Sequence, residues 1–170
     1  NGLDDKSHQP IVYKDVVIVC NGEIYNFKEL YKLMNIVPNT NSDCEVIIHL
    51  YIKYGIQQTL QMLDGVFSFC LIDYRIESEF SKVFIARDPY GVRPLYIMKP
   101  SSYGIQILEK EVTSLGNSNS FSKFIFASEL KMLYDILKES SKNYKKPLYF
   151  IKQFRPGTYS YLTMKHTVSP

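Results

Sequence analysis

The organisation of the chain follows from one short stretch, Val16-Val17-Ile18-Val19-Cys20-Asn21-Gly22-Glu23-Ile24-Tyr25-Asn26. Its first part, residues 15–20, is a β-branched apolar run of the length typical of a buried strand. Asn-Gly is a strong turn signal, so we predict that the strand ends in a turn at Asn21-Gly22. A polar tripeptide, Asn21-Gly22-Glu23, would then stand at the end of a rigid element.

The rest of the chain alternates helical and extended patterns. The predicted helices are Phe27–Met34 (capped by Asn26, with Leu30, Leu33 and Met34 on one face), about Cys44–Tyr54 (ended by Gly55), Gln57–Leu63 and about Glu129–Leu137 (capped by Ser128). The predicted strands are Val66–Asp73 and Lys82–Arg87 as a hairpin, Leu95–Met98, Ile105–Leu108, Lys123–Ala127, and two strands within Phe150–Leu162 joined at Arg155-Pro156-Gly157. Asp88-Pro89-Tyr90-Gly91 predicts a tight turn. Two polar insertions, residues 109–122 and 138–148, have no assigned role.

Composition limits the classes of protein to consider. A chain of 170 residues with 45% hydrophobic and 22% charged residues fits one globular domain, and 14% aromatic residues favours a strand-rich one. The net charge of +3 is scattered, so we expect no nucleic-acid partner. No apolar run approaches the length of a membrane span, so we expect no membrane partner either. The three cysteines have no metal-ligand spacing, so we expect no metal site. Their odd number indicates a reducing compartment, and we expect a cytoplasmic location.

Asn21-Gly22-Glu23 is the strongest candidate for chemistry. A side-chain amide and a backbone N–H at adjacent positions can stabilise an oxyanion, and Gly22 allows a ligand to approach the backbone closely. Glu23 offers a carboxylate for an ammonium group. Taken alone, however, the tripeptide is more typical of a plain turn with an exposed glutamate, because Asn-Gly is a common turn.

Further blocks along the chain change that balance. They are Ser42-Asp43-Cys44-Glu45-Val46-Ile47, Leu63-Asp64-Gly65-Val66-Phe67-Ser68-Phe69, Ala86-Arg87-Asp88-Pro89-Tyr90-Gly91-Val92-Arg93-Pro94-Leu95-Tyr96, Phe126-Ala127-Ser128-Glu129-Leu130-Lys131 and Phe154-Arg155-Pro156-Gly157-Thr158-Tyr159. In this order, from about Gln9 to Leu162, the chain resembles the N-terminal glutaminase domain of the asparagine synthetases, a class II glutamine amidotransferase domain. The resemblance implies a four-layer αββα sandwich of antiparallel sheets, of the N-terminal-nucleophile hydrolase type.

The resemblance also implies roles for four residues. The Asn21 side chain and the Gly22 N–H match the oxyanion hole, the catalytic part of the site. Glu23 and Asp43 match carboxylates that hold the amino group of the substrate, glutamine. The alternative for Asp43 is helix N-capping, which Ser42 can also supply. Arg87-Asp88 is more typical of a structural ion pair and turn cap than of a catalytic pair, and Cys20 of core packing.

Parts of the family's pattern do not occur among these residues. In the family the nucleophile is a cysteine at the mature N-terminus, whereas the first residue here is Asn1. The Arg-Gly-Pro-Asp-like block that grips the substrate carboxylate is also missing, and residues 1–9 resemble what normally follows that block. The sequence therefore predicts an incomplete amidotransferase domain over residues 1–162, inactive alone, and the start of a linker over residues 163–170. An absent synthetase domain or a companion chain would be its partner, and a homodimer is an open alternative. We expect no cofactor in this chain, whereas ATP and Mg would belong to the synthetase domain.

Two other functions stay open on the sequence. The first is the glutaminase domain of another amidotransferase, similar to glucosamine-phosphate synthase or the purine type. The second is a non-catalytic interaction or regulatory domain derived from this fold. Glu23-Ile24-Tyr25 after Asn21-Gly22, together with Asp43-Cys44-Glu45, favours the asparagine-synthetase branch.

Overall fold

The computed structural model describes residues 7–75, 80–103 and 124–165. The chain divides into two compact units, Asn1–Arg93 with Arg155–Pro170, and Pro94–Phe154. In the described ranges no helix has the length and apolar character needed to cross a bilayer. The predicted strand Ile105–Leu108, the start of the predicted strand at Lys123, and the insertion at 109–122 lie outside the described residues.

The strands form two antiparallel sheets, which confirms the α+β class. They are β1 Ile11–Tyr13, β2 Val16–Ile24, β3 Gly65–Asp73, β4 Phe80–Arg87, β5 Tyr96–Pro100, β6 Ile125–Ala127, β7 Tyr149–Gln153 and β8 Tyr159–Lys165. The sheet of the first unit has the order β1-β2-β3-β4-β8, and the sheet of the second has the order β6-β5-β7. The two strands predicted on either side of Arg155-Pro156-Gly157 therefore belong to different sheets.

The core of the first unit lies between one face of its sheet and helices α1, Phe27–Met34, and α2, Glu45–Met62. Alternate residues of β2 (Val16, Ile18 and Cys20) and of β3 (Phe67, Phe69 and Leu71) face this core and are no more than 6% exposed. Each such aliphatic or aromatic side chain contributes roughly 1.5–3 kcal/mol when fully buried. The alternation leaves the side chains of Asn21 and Glu23 on the opposite face of β2.

Helix α1 has the predicted bounds but a different apolar face. Leu30, Tyr31 and Met34 are buried, whereas Leu33 is 64% exposed. The prediction for Leu33 was wrong because the buried stripe runs through positions 27, 30, 31 and 34, the i, i+3, i+4, i+7 pattern of a helix. Tyr31 takes the core position that Leu33 was expected to fill.

Helix α2 breaks at Gly55, as the sequence predicts. Gly55 has φ 76° and ψ 171°, and helical segments stand on both sides of it. Only glycine adopts this backbone region readily. The break turns the second segment away from the first, whose residues Val46 to Leu50 are almost completely buried.

The predicted turn at Asn21-Gly22 is wrong. Both residues lie inside β2, opposite Ser68 and Phe67 of β3. A Cβ added at Gly22 would lie 2.3 Å from the carbonyl oxygen of Val66 and 2.7 Å from Cα of Phe67. Gly22 is therefore needed for close approach of two strands and not for a left-handed turn, and pairing with β3 overrides the local turn preference.

Two predicted helix caps also differ. Asn26 occupies the N-cap position of α1, but its side-chain amide donates to the Met62 carbonyl (2.9 Å) and accepts from the Asp64 N–H (3.1 Å). In the second unit, helix α3 spans Leu130–Ser141, and its N-cap position is Glu129 and not Ser128. Helix α3 thus extends into the region predicted as a polar insertion. It packs on β5 and β7 through a small core of Met98, Leu133, Leu148 and Tyr149.

Candidate active site

The candidate site is built on the edge of β2 that faces β1. Strand β1 pairs with β2 only as far as Ile11 opposite Ile18. Beyond that point side chains take over the edge. The Asp43 carboxylate accepts a hydrogen bond from the Ile24 N–H at 2.6 Å, and the Gln9 side-chain amide bonds to both backbone polar groups of Cys20.

Gly22 lies between these two anchored residues. In a strand, the N–H and C=O groups of alternate residues point to the same edge, so those of Cys20, Gly22 and Ile24 share one direction. The Gly22 carbonyl accordingly lies 3.9 Å from the Cys44 sulfur on that side. Its N–H is directed to the same edge, and the preceding residue, Asn21, is exposed.

Asp43 does not cap α2. The N-cap position is Cys44, and the Cys44 N–H donates to the Ser42 hydroxyl at 3.3 Å. The Asp43 side chain instead reaches 19 residues back along the sequence to Ile24, and Asp43 is only 4% exposed. The chain fold thus brings Asp43 to the strand that carries the other three predicted residues.

Glu45 holds the loop that leads into Asp43. Its carboxylate accepts from the N–H groups of Asn39 (2.9 Å) and Thr40 (2.6 Å) and pairs with Nε2 of His49 at 2.9 Å. Burial by itself would raise the pKa of Glu45, but the hydrogen bonds from His49, Thr40 and Asn39 outweigh burial and lower this pKa to about 2. His49 is a packed residue of α2, 3% exposed, against the rings of Tyr13 and Tyr31.

Glu23 has a charged neighbour that the sequence did not indicate. An Nη atom of Arg93 lies 3.6 Å from a carboxylate oxygen of Glu23, and the two side chains are 34% and 50% exposed. Within the described residues, the buried Nε of Arg93 has no hydrogen-bond partner. The Glu23 carboxylate is therefore held beside a guanidinium and is still accessible to a ligand.

The predicted turn at Asp88-Pro89-Tyr90-Gly91 supports Arg93. The completely buried Asp88 carboxylate accepts from the N–H groups of Phe67, Tyr90, Val92 and Arg93 at 3.0–3.3 Å. The Arg87 guanidinium donates to the carbonyls of Gly91 and Arg93, both at 2.7 Å. The role of Asp88 as a turn cap is confirmed. Both buried side chains bond to the backbone of Arg93.

Neither Cys20 nor Cys70 has the properties of an activated nucleophile. Cys20 and Cys44 are buried, and Cys20 is part of the core, as the sequence predicts. A hydrogen bond with Cys44, together with burial, raises the pKa of Cys20, and burial raises the pKa of Cys70. A nucleophilic thiol needs the opposite shift, because the thiolate is the reactive form.

A cleft of about 430 Å³ lies elsewhere on the first unit. Its walls include Tyr54, Gly55, Lys82, Phe84, Tyr159 and Tyr161. The residues that line this cleft include none from β2 and neither Ser42 nor Asp43. The cleft is therefore separate from the candidate site. At β2, by contrast, polar side chains from separate segments of the chain converge, namely those of Gln9, Asp43 and Arg93.

The described residues form an α+β domain with antiparallel sheets, in which amide groups and carboxylates from separate segments lie near one end of β2. Residues 1–169 match the family model described as "Glutamine amidotransferase domain", and the chain belongs to this family. It is similar to "Asparagine synthetase [glutamine-hydrolyzing]" from several animals. The chicken protein is 55% identical over 76 residues, which are 45% of this chain and 13% of that protein. The bovine protein is 38% identical over 145 residues, 85% of this chain and 21% of that protein. The chain therefore spans only a small part of these relatives.

Proposed function

We propose that this domain binds glutamine and releases ammonia from its side-chain amide, as part of a glutamine-dependent asparagine synthetase. The observation that carries the proposal is the 2.6 Å bond from the Ile24 N–H to Asp43. This bond joins a buried carboxylate to the strand that presents Asn21, Gly22 and Glu23. The residues that we propose as oxyanion donors and as ammonium-binding carboxylates thus belong to one local structure.

The donors act on the amide carbonyl of the substrate. When a thiolate attacks the carbonyl carbon, negative charge develops on the carbonyl oxygen, and the Asn21 amide and the Gly22 N–H donate to it. Each such donor is worth roughly 2.7–4 kcal/mol in the transition state. The tetrahedral intermediate collapses as its C–N bond breaks, and the proton taken from the thiol passes to the leaving nitrogen, so that ammonia departs. Water then hydrolyses the thioester, which gives glutamate and the free thiol.

The carboxylates select the amino-acid end of glutamine. Asp43 and Glu23 each offer an oxygen to the α-ammonium, and hydrogen bonds to charged groups are roughly twice as strong as neutral ones. Arg93 lies beside the Glu23 carboxylate and leaves half of that side chain exposed. Asp43 is held in place by the hydrogen bond from the Ile24 N–H.

We further propose that these 170 residues alone do not hydrolyse glutamine. All three cysteine thiols are at least partly buried, and the raised pKa of Cys20 and of Cys70 disfavours the thiolate. The attacking thiol would come from residues outside this sequence, in a four-layer domain to which residues 1–162 contribute most of the sheets. The ammonia would serve the ATP-dependent amidation of aspartate by another domain in the cytoplasm, and residues 163–170 would begin the linker to it.

The test uses Asn21→Ala in the full-length gene product. We expect glutamine-dependent asparagine formation to fall by roughly 10²–10³-fold in kcat. Ammonia-dependent formation should stay within twofold, because ammonia bypasses the glutaminase site. Equal loss of both activities, or no loss of either, would refute the assignment of Asn21.

A second measurement tests whether the domain is catalytic at all. A glutamine analogue with an electrophilic side chain should label the full-length protein at one cysteine that is not Cys20, Cys44 or Cys70. Protection by glutamine is the expected control. If no cysteine is labelled and the protein shows no glutaminase activity, the domain is an interaction or regulatory module.

A further inference from the structure

Gln9 makes an unusual contact directly before the candidate oxyanion donors. Its side-chain carbonyl accepts from the Cys20 N–H at 2.6 Å, and its side-chain NH₂ donates to the Cys20 carbonyl at 2.7 Å. In a regular antiparallel ladder, the backbone N–H and C=O of the opposite residue would make these two hydrogen bonds with Cys20. The carboxamide of Gln9 therefore replaces one residue of a β-strand.

The register of the sheet explains the placement. Strand β1 pairs Tyr13 with Val16 and Ile11 with Ile18, so Gln9 is the residue opposite Cys20. Pro10 has no N–H to contribute to a ladder. The ladder between β1 and β2 therefore stops at Ile11, and at the next position the side chain of Gln9, in place of the Gln9 backbone, bonds to Cys20.

The replacement has a consequence for Gly22. A strand continued by two more residues would place its backbone beside the Gly22 N–H and bond to it. Ser7 stands at that position in the register, but its hydroxyl accepts from the Asn41 N–H at 3.2 Å, in the loop before Asp43. Among the hydrogen bonds of the described residues, the Gln9–Cys20 pair is the last on this edge before Gly22.

We infer that Gln9 is a positioning residue that holds the Gly22 N–H in the direction needed for an oxyanion. The inference rests on the proposed function, since it gives Gly22 a role only if a carbonyl is attacked there. Gln9 itself touches Cys20 and not the substrate. Asp43 anchors Ile24 on the other side, so Gly22 is fixed from both ends.

The experiment compares Gln9→Leu with Gln57→Leu in the full-length gene product. Both changes remove a glutamine side-chain amide, and Gln57 donates to the Tyr159 hydroxyl at 3.1 Å, outside β2. We expect Gln9→Leu to lower glutamine-dependent kcat by roughly 10–100-fold, as expected for a small misplacement of a catalytic donor, with KM changed less than threefold. Ammonia-dependent synthesis should not change, and Gln57→Leu should leave both activities within twofold.

A purely structural role for Gln9 predicts a different pattern. In that case Gln9→Leu would lower Tm, by about 2–4 °C for a lost surface hydrogen bond, and leave kcat of the folded enzyme unchanged. Gln9→Glu adds a second test, because an ionised carboxylate can accept from Cys20 but cannot donate to its carbonyl. Its kcat relative to wild type should rise as pH falls towards 5 and protonation restores the donor; a ratio that does not change with pH would overturn the inference.

Failure of the inference and failure of the proposed function give distinct results. If Asn21→Ala abolishes glutamine-dependent turnover while Gln9→Leu does not, only the role of Gln9 is wrong. If neither change affects glutamine-dependent turnover, the oxyanion assignment itself is wrong.

Discussion

Replacing Gly22 by alanine tests the structural reason for this glycine and its proposed role together. The added Cβ would lie 2.3 Å from the Val66 carbonyl oxygen, 2.7 Å from Cα of Phe67 and 2.9 Å from its Cβ. Two of these atoms belong to the backbone and cannot rotate away. Strands β2 and β3 would have to separate by roughly 1 Å at this point for the contact to become an ordinary van der Waals distance.

The separation has a cost in stability and a cost in activity. Overpacking of this kind typically destabilises a protein by about 1–3 kcal/mol. A 1 Å displacement of a catalytic donor lowers turnover by roughly 10²-fold. We therefore expect Gly22→Ala to reduce glutamine-dependent kcat by about this factor, measured as ammonia release by the full-length enzyme, with ammonia-dependent synthesis retained.

Gly55→Ala is the matched control. Its Cβ would meet nothing within 4 Å, but Gly55 has φ 76°, so the change strains the backbone without a clash. A non-glycine residue in this region costs about 1–3 kcal/mol, similar to the expected cost at Gly22. If both variants lose similar stability by urea unfolding but only Gly22→Ala loses glutamine-dependent kcat, the reasoning holds. Glutamine-dependent turnover of Gly22→Ala within threefold of wild type would refute it.

Two further predictions concern the carboxylates. Asp43→Asn keeps an acceptor for the Ile24 N–H but removes the negative charge. We therefore expect the KM for glutamine to rise roughly 10–100-fold, which corresponds to one hydrogen bond to a charged group, with little change in Tm. A KM within twofold of wild type in steady-state assays would contradict this prediction. Glu45 has a folded-state pKa of about 2, below its ordinary value of 4.5, so its contribution is fully present above pH 4.5 and is lost as pH falls towards 2. This shift in pKa corresponds to about 3 kcal/mol of free energy of unfolding. In urea unfolding, the difference in stability between wild type and Glu45→Gln should therefore shrink by about this amount as the pH falls from 4.5 to 2. A stability difference that does not depend on pH would exclude this role of Glu45.

Local patterns in the sequence were sufficient for several elements. The bounds of α1, the break of α2 at Gly55, the antiparallel neighbours β3 and β4, and the turn capped by Asp88 all agree with the structure. Each depends on side-chain periodicity or on a glycine or proline with few allowed conformations, and such signals act over a few residues. The family and the four candidate residues were also identified from the sequence, through the order of the blocks that resemble the family. The roles of these four residues in glutamine chemistry stay predictions.

Tertiary structure alone decided how those residues are held. Asn21-Gly22 is a turn signal by itself, and it is extended because β3 pairs along its whole length and approaches too closely for any side chain at Gly22. The bonds from Asp43 to Ile24 and from Gln9 to Cys20 join segments that are distant in sequence, and no local pattern encodes them. The physical reason is that β2 extends beyond its pairing with β1, and there its backbone polar groups must be satisfied by side chains that only the folded chain brings alongside.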